Sequence, residues 1–410
     1  MRVIYYLAIK TYHLMVGLVA PFNQKAGFFI TGRKGLFRDL QHATGHWQRS
    51  VWFHCASLGE FEQGRPLMEA FREKHPEVKI LLTFFSPSGY QVRKNYPGAD
   101  YVTYLPVDTP AHARRFVRIV RPEQVFFIKY EYWYFFLHEL RRKKIPIYLV
   151  SAIFRKEQAF FKWYGAWLRR MLGYFTEIFV QDEDSRDLLN GYHVYHVSVS
   201  GDTRFDRVKK IAQSSPSLPF METFRGDSML VVAGSTWPPD EELLIRYFRE
   251  SGKFFRMVIA PHEVHRQNIQ RIASHFEDGE TLVWSEASGQ DAARARVLII
   301  DSIGMLSSLY GYGQLAYVGG GFGKGIHNIL EAATYGIPVI FGPHHEKFKE
   351  AMDLKEQGGG FAIRGYKDLK LLMDDFIARP DQMKAAGETA RSYVNARAGA
   401  THHILSRIAE

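Results

Sequence analysis

The sequence predicts an α/β protein of two domains, each built on a parallel, doubly wound sheet. The chain has 410 residues, 46% of them hydrophobic, which is enough to fill two cores of about 200 residues each. Short apolar runs alternate with stretches of helical periodicity, as expected when helices connect parallel strands. A segment rich in Ser and Pro, AQSSPSLPF (212–220), interrupts this alternation, which then restarts.

The first half of the chain contains seven apolar runs that are candidate strands. Between them, helical periodicity predicts helices over 61–74, 111–120 and 158–172. The strand candidates are VWFHC (51–55), KILLTFF (79–85), YVTYLP (101–106), QVFFIKY (124–130), IPIYLV (145–150), EIFVQ (177–181) and HVSVS (196–200).

The second half repeats the pattern and predicts a second sheet of the same type. Its strand candidates are MLVVAG (229–234), FRMVIAP (255–261), VLIID (297–301), QLAYVGG (314–320) and IPVIFGP (337–343). The predicted divisions are an N-terminal membrane-associating segment (1–35), an N-terminal domain (36–211), a linker (212–226) and a C-terminal domain (227–410) whose last helix is a candidate to pack back on the N-terminal domain. Two such domains create a cleft, with ligands at the carboxyl ends of the strands.

The net charge of +10 is unevenly distributed. Residues 1–205 contain 29 Lys and Arg against 18 Asp and Glu, whereas the remainder contains 24 against 25. A basic half suits nucleic acid, an anionic membrane surface or a phosphorylated acceptor. The lone Cys55 lies in an apolar run and cannot form an intrachain disulfide, which favours a reducing compartment.

The N-terminus is a borderline membrane segment. Residues 3–22 (VIYYLAIKTYHLMVGLVAPF) are mostly apolar, but Lys10, Thr11 and His13 interrupt them. Twenty residues just reach across a bilayer. An interfacial or shallow anchor is the favoured interpretation, with a full span and a helix of a soluble domain as alternatives.

The first chemistry-bearing element is ASLGE (56–60), which lies between the first strand and a helix. It places Glu60 at a strand end, where a carboxylate can accept a proton from a hydroxyl, and Gly59 permits a tight turn there. The alternative is structural: an acidic side chain in the first turn stabilises a helix through its dipole.

A second element is the glycine-rich loop GGGFGKGIHN (319–328), which has five glycines in seven residues and precedes a helix expected over 328–335. Backbone N–H groups in such a loop suit an anion, and simple turn geometry is the alternative. The loop matches neither the P-loop nor the dinucleotide fingerprint. Glu331, four residues after His327, is a candidate to hold the two hydroxyls of a ribose, or else a solvated helix carboxylate.

Two further strand ends are candidate anion sites. GSTW (234–237) presents hydroxyls and N–H groups, and DSIGM (301–305) opens another helix; helix capping is the alternative for both. The pairs His262 with His265 and His344 with His345 have no acidic or Cys partner clearly placed near them, so no metal site is predicted.

Taken in order, these elements resemble the 3-deoxy-D-manno-octulosonic acid (Kdo) transferases of lipopolysaccharide biosynthesis. The resemblance runs over nearly the whole chain. Its elements are Ser57-Leu58-Gly59-Glu60, Glu131 with Trp133, Val180-Gln181 with Asp184 and Arg186, Ser200-Gly201-Asp202, Phe205-Asp206, Ala233-Gly234-Ser235-Thr236, Ile259-Ala260-Pro261, Asp301-Ser302-Ile303-Gly304, Gly319-Gly320, His327-Asn328, Glu331 and Phe341-Gly342-Pro343-His344.

The resemblance implies a GT-B fold of two Rossmann-like domains and an inverting transfer of Kdo from CMP-Kdo to a lipid A precursor (lipid IVA), with no cofactor or metal ion. By position, it implies that Glu60 is the general base and that Glu131 is a second essential acid. The implied partners are the donor, the lipid acceptor and an anionic membrane surface, not nucleic acid. The implied location is the cytoplasmic face of the bacterial inner membrane. The implied CMP-Kdo site comprises Ser235, Thr236, His262, Ile303, Gly304, Gly320, Gly321, His327, Asn328 and Glu331.

Three departures from the family pattern affect this site. His262 stands where the family often has an arginine after Ile-Ala-Pro, and Arg266, one predicted helical turn further on, is the candidate replacement cation. KYEYWYF (129–135) occupies the position where the family often reads E-x-E-L-W-P-N. Ser151-Ala152-Ile153 occupies the position of the family's Asn-Ala-Arg. Two other functions stay open on the sequence: a nucleotide-sugar 2-epimerase of the same fold, and a non-catalytic anion-binding membrane protein.

Overall fold

The computed structural model describes residues 1–287 and 289–409, and within them the seven strands predicted for the first half form one parallel sheet. Its strand order is β3-β2-β1-β4-β5-β6-β7. The strands are β1 (Ser50–Cys55), β2 (Lys79–Phe84), β3 (Tyr101–Tyr104), β4 (Gln124–Ile128), β5 (Ile147–Ala152), β6 (Glu177–Val180) and β7 (Val197–Val199).

The second half also forms a parallel sheet, and seven of its strands lie in the described residues, in the order β10-β11-β9-β8-β12-β13-β14. The five predicted strands are present. The two additional strands, β10 and β14, lie at the sheet edges and are only partly buried, so they lack the continuous apolar run of a central strand. The strands are β8 (Leu230–Thr236), β9 (Arg256–Pro261), β10 (Thr281–Val283), β11 (Val297–Ile299), β12 (Leu315–Val318), β13 (Val339–Phe341) and β14 (Gly360–Ala362).

Helices connect the strands of both sheets. In the first half they are α1 (Arg2–Val19), α2 (Gln24–Thr31), α3 (Leu36–Thr44), α4 (Leu58–Lys74), α5 (Pro87–Arg93), α6 (Pro110–Val120), α7 (Tyr134–Arg142), α8 (Ala166–Leu172), α9 (Glu183–Asn190) and α10 (Thr203–Ser214). In the second half they are α11 (Pro219–Arg225), α12 (Pro238–Glu250), α13 (Arg266–Ala273), α14 (Gly289–Ala292), α15 (Leu306–Leu309), α16 (Leu330–Ala333), α17 (Lys349–Gln357), α18 (Tyr366–Ala378), α19 (Pro380–Arg397) and α20 (Ala400–Ala409).

The prediction of one continuous helix over 158–172 is wrong. A 3-10 turn at Ala159–Phe161 and the separate α8 replace it. The chain folds back between them so closely that a Cβ on Gly165 would lie 2.1 Å from the carbonyl oxygen of Ala159. The predicted helices over 61–74 and 111–120 are confirmed, as parts of α4 and α6.

The described chain divides into two units, Met1–Arg207 together with the chain from Gly399 onward, and Val208–Ala398. The predicted linker, 212–226, contains the end of α10 and all of α11. In the first unit, side chains of β1 point alternately into two apolar clusters, Trp52 into one and Phe53 into the other. Burial of both sheet faces explains why its strands read as continuous apolar runs. Ile404 of α20 joins the Phe53 cluster.

The N-terminal helix α1 has one packed face and one exposed face. Tyr5 and Tyr6 pack against the first-unit core, and Tyr5 donates a 2.6 Å hydrogen bond to Asp108. Exposed apolar side chains on this helix include Leu7, Leu14 and Leu18, each more than half exposed. Among the described residues, no helix has both the length and the apolar character needed to cross a bilayer.

Candidate active site

Glu60 and Glu131 follow neighbouring parallel strands of the first unit. β1 ends at Cys55 and β4 at Ile128, and the two strands pair directly. Burial raises the pKa of the Cys55 thiol, and the nearby carboxylates of Glu60 and Glu131 raise it further. Both carboxylates therefore lie near the carboxyl end of β1, where open α/β sheets bind ligands.

Glu60 lies in the first turn of α4 and contributes to the start of that helix. The backbone N–H of Ser57 donates to Glu60 Oε2 at 3.1 Å, and the Ser57 hydroxyl contacts the same oxygen. This is the structural role that the sequence left open. Within the described residues, however, Oε1 of Glu60 accepts no hydrogen bond, so the carboxylate keeps one oxygen for a proton or a ligand.

Glu131 is 6% exposed and is held by two nitrogen groups. Its Oε2 accepts from the indole N–H of Trp133 at 2.5 Å and lies 3.0 Å from His54 Nε2. Its Oε1 has no hydrogen-bond partner among the residues that the structure describes. Two donors on one oxygen fix the orientation of a carboxylate and offset the cost of its burial.

His54 is the residue of this group that the sequence did not single out. It is fully buried in β1, and its Nδ1 lies 2.8 Å from the hydroxyl of Thr83. The indole N–H of Trp52 donates to that hydroxyl at 2.7 Å. The signal was present: a histidine in an otherwise apolar central strand needs a buried polar partner.

In the second unit, three aromatic rings stack at the ends of β8, β9 and β12. The ring of His262 lies 4.7 Å from that of Trp237 and 4.5 Å from that of His327, with interplanar angles of 23° and 24°. The indole N–H of Trp237 donates to Nε2 of His327 at 3.2 Å. Burial, and after it the neighbouring His262, lower the pKa of His327 to about 4. His327 is thus neutral at pH 7, with its proton on Nδ1.

Two local predictions about these histidines are wrong. α16 begins at Leu330, so His327 and Glu331 do not share a helical face. α13 begins at Arg266, so His262 precedes that helix and no helical turn connects the two residues. The side chain that contacts His262 is that of Trp237, which the sequence indicated only as part of the GSTW strand end.

The glycine-rich loop directs many of its N–H groups into the protein. Those of Gly319, Gly323 and Gly325 donate to backbone carbonyls, and that of Gly320 donates to the buried carboxylate of Asp240 at 3.0 Å. Gly321 packs so tightly that an added Cβ would lie 2.6 Å from the Gly342 backbone. The loop is therefore largely a packed turn, the alternative to an open anion nest.

Asp240 connects this loop to the start of α12. Besides the Gly320 N–H, its Oδ2 accepts from the backbone N–H of Trp237 at 2.9 Å. Its Oδ1 accepts from the hydroxyl of Tyr317 at 2.7 Å. Asp240 is fully buried. It fixes the backbone on which Trp237 and Gly320 are carried.

Ser235 and Thr236 end strand β8. Ser235 adopts a left-handed backbone with φ 53°, which is uncommon for a residue other than glycine. The Thr236 hydroxyl is buried and donates to Glu241 at 2.9 Å, while its carbonyl accepts from the N–H of His262 at 2.9 Å. Thr236 thus positions His262 through its backbone.

Glu331 is held from both sides. Its Oε1 accepts from the side-chain amide of Asn328 at 3.0 Å, and its Oε2 accepts from the hydroxyl of Ser307 at 2.5 Å. Ser307 lies on α15, just after the loop that carries Ile303 and Gly304. Ile303 is 88% exposed, and Gly304, which has a φ of 97°, is exposed as well.

The structure therefore forms three groups from the predicted residues. Glu60 and Glu131 lie together in the first unit. In the second unit His262 and His327 contact Trp237. Thr236 precedes Trp237, and Gly320 is bonded to the same Asp240 carboxylate as Trp237. Asn328 and Glu331 connect to α15, just after the Ile303-Gly304 loop, through Ser307. His54, Trp237, Asp240 and Ser307 are the members added by the structure.

Comparison with known proteins gives a consistent relationship. Residues 28–207 match the family model described as 3-deoxy-D-manno-octulosonic-acid transferase (kdotransferase). The 3-deoxy-D-manno-octulosonic acid transferase of Aquifex aeolicus is 25% identical over 342 residues, 82% of this chain and 88% of the relative. That of Bordetella pertussis is 29% identical over 390 residues, 87% of this chain and 86% of the relative.

Among solved structures, the UDP-GlcNAc 2-epimerase of Neisseria meningitidis bound to UDP-GlcNAc is similar, with a TM-score of 0.59 and 15% identity. The match covers 88% of this chain and 99% of the epimerase. At this identity the similarity concerns the fold, which is of the GT-B type with two Rossmann-like domains.

Proposed function

We propose that this chain is a glycosyltransferase of the Kdo transferase family and that it moves Kdo from CMP-Kdo to a lipid A precursor (lipid IVA) in lipopolysaccharide biosynthesis, which its similarity to that family supports. The transfer proceeds with inversion and without a metal ion. Glu60 is the general base that takes the proton of the acceptor hydroxyl as that oxygen attacks the anomeric carbon. CMP leaves with the bonding electrons.

The observation that carries the proposal is the pair of carboxylates at the ends of β1 and β4. Each has an oxygen without a protein hydrogen-bond partner in the described chain, while its other oxygen is fixed by the protein. A base held in this way needs little reorganisation to accept a proton, and positioning contributes much of the rate enhancement of enzymes. Glu131 orients the acceptor beside Glu60.

The donor side is assigned to the second unit. Glu331, held by Ser307 and Asn328, accepts the ribose hydroxyls of CMP-Kdo. The charged groups of CMP-Kdo lie against the stacked rings of Trp237, His262 and His327, and the Nδ1–H of His327 donates a hydrogen bond to them. Ser235, Thr236, Gly321, Ile303 and Gly304 complete the site through their backbone, and Gly320, whose N–H is bonded to Asp240, contributes only its shape. Preorganised donors of this kind stabilise a departing phosphate.

The chain works at the cytoplasmic face of the bacterial inner membrane, held there by residues 1–35. The exposed apolar face of α1 supports this assignment, because leucines on one side of a surface helix suit the boundary between headgroups and acyl chains. The basic excess of the first half supports attraction to anionic lipid.

The decisive experiment is a transfer assay with purified protein, CMP-Kdo and lipid IVA in the presence of a chelator. Wild type is compared with Glu60→Gln and with Glu77→Gln, a surface carboxylate variant. Glu60→Gln is expected to lower kcat at least about a hundredfold, and Glu77→Gln to leave it unchanged.

Absence of Kdo-lipid product with wild-type protein would refute the proposed transfer. Full activity of Glu60→Gln would refute the role of Glu60. Turnover of a UDP-sugar without lipid acceptor would indicate epimerase chemistry instead.

A further inference from the structure

A cavity of about 300 Å³ lies between the first three helices and the start of α6. Its polar lining is basic: His13 from α1, Arg33 and Lys34 after α2, and His112 from α6. The rest of the lining is apolar side chains of α2, α3 and the loop after β3. The volume is at the lower end of that of small-ligand pockets.

Arg33 brings a cation into this cavity without a carboxylate to balance it. Its Nε, Nη1 and Nη2 donate to the carbonyls of Leu105, Phe29 and Phe85 at 2.7 to 2.9 Å. A guanidinium has five N–H groups, so two are left. Burial lowers the pKa of Arg33 to about 9, which still leaves it charged at pH 7. No ion pair to Arg33 or Lys34 forms within the described part of the chain.

The two histidines add to the basic character. His13 Nδ1 is buried and has no hydrogen-bond partner among the described residues. Burial lowers the pKa of His13, and Arg33, Lys10 and His112 lower it further, which marks a positive environment. His112 donates from Nδ1 to the carbonyl of Val107 at 2.9 Å, so its Nε2 is a hydrogen-bond acceptor in the neutral ring.

The cavity lies against the helix whose other face is apolar and exposed. His13 is on the packed stripe of α1, whereas Leu14 and Leu18 are 63% and 62% exposed. Phe22, just after this helix, is 90% exposed. A helix seated in the headgroup region by these side chains places the cavity at the depth of lipid phosphates.

We propose that this cavity binds the phosphate of an anionic membrane phospholipid. Arg33 and Lys34 pair with the phosphate oxygens, His13 adds a hydrogen bond, and the apolar wall contacts the glycerol and the first acyl carbons. The cavity shares no lining residue with the proposed transfer site, and the inference rests on the proposed membrane location rather than on the proposed reaction.

The test uses dihexanoyl phosphatidic acid as a monomer in solution, because this removes the general attraction of a charged bilayer. Calorimetry compares wild type with Lys34→Gln and His13→Gln. The matched control is Lys25→Gln, which removes the same charge from α2 outside the cavity. Arg33 is left intact because its three backbone hydrogen bonds hold the fold.

We expect Lys34→Gln to weaken binding about fivefold and Lys25→Gln to change it less than about twofold. His13→Gln, which removes an uncharged bond at neutral pH, should weaken binding about threefold. Dihexanoyl phosphatidylcholine and inorganic phosphate should bind at least about tenfold more weakly than the phosphatidic acid, since one covers the phosphate with a cation and the other lacks apolar contacts.

Failure of wild type to bind the phosphatidic acid, or an equal loss in Lys34→Gln and Lys25→Gln, would overturn the site. Equally tight binding of inorganic phosphate would show a site for free phosphate and overturn the lipid assignment. The calorimetry contains no CMP-Kdo, so failure of the lipid site can be distinguished from failure of the proposed transfer.

Discussion

His54 Nε2 lies 3.0 Å from Glu131 Oε2, and both side chains are buried beside the carboxyl ends of β1 and β4. The two residues are 77 positions apart in the chain. Thr83 fixes the other ring nitrogen of His54, and Trp133 shares the carboxylate oxygen. His54 is therefore a positioning residue for Glu131.

Replacing His54 tests this positioning. His54→Gln should lower kcat about tenfold to a hundredfold, because a misplaced carboxylate loses its alignment with the acceptor. The KM for CMP-Kdo should change little, since the residues proposed to bind CMP-Kdo are in the other unit. Steady-state kinetics with CMP-Kdo and the lipid acceptor measures kcat and KM separately. His46→Gln, at an exposed position, is the control. A KM effect with unchanged kcat would contradict a positioning role.

Replacing Ser307 tests the support of Glu331. Ser307→Ala removes the 2.5 Å hydrogen bond to Glu331 Oε2, and we expect a loss of about 1 kcal/mol, the net contribution of a typical hydrogen bond. The KM for CMP-Kdo should rise about fivefold while kcat stays within twofold. Ser274→Ala, an exposed serine bonded only to its own helix end, should match wild type. An unchanged KM in Ser307→Ala would exclude this support.

His327 makes stability depend on pH. Its pKa is about 4 in the folded chain and about 6.5 when unfolded, so the unfolded chain binds more protons between these values. The stabilisation from the neutral ring is complete above pH 6.5 and is lost as pH falls through 4. His327→Gln should therefore lose less stability than wild type between pH 7 and pH 5.

Urea unfolding at pH 7 and pH 5 measures the free energy of unfolding of both proteins. We expect the loss between the two pH values to differ between them by roughly 1 kcal/mol, after solvent screening of a partly exposed ring. His402→Gln, at an exposed position on α20, should behave as wild type. A pH dependence of His327→Gln equal to that of wild type would contradict a depressed pKa.

The exposed face of α1 predicts weaker membrane association after substitution. Leu14→Asp should lower the partition coefficient onto lipid vesicles at least about tenfold, because an exposed leucine that enters the interface gains about 1.5 kcal/mol or more. Vesicle sedimentation measures it. Gln48→Asp, exposed and outside α1, controls for the added charge. Equal partition of the two variants would show that α1 does not enter the interface.

The sequence by itself determined the sheets and the position of Glu60. Runs such as VWFHC and QVFFI are apolar on consecutive residues because both faces of a parallel strand are buried, and that pattern is local. The element Ser57-Leu58-Gly59-Glu60 is also local, since the turn that follows a strand is set by its own residues. By contrast, β10 and β14 lie at the sheet edges and are only partly buried, so no continuous apolar run marks them.

Only the tertiary structure decided which distant side chains meet. The order β2-β1-β4 places Glu131 against His54, and the approach of α15 to the first turn of α16 brings the Ser307 hydroxyl to Glu331. It also placed Asp240 under the glycine-rich loop, so an N–H group that suited an anion in the sequence is occupied by the protein's own carboxylate. Strand order and burial set these pairings, and neither can be read from the spacing of residues along the chain.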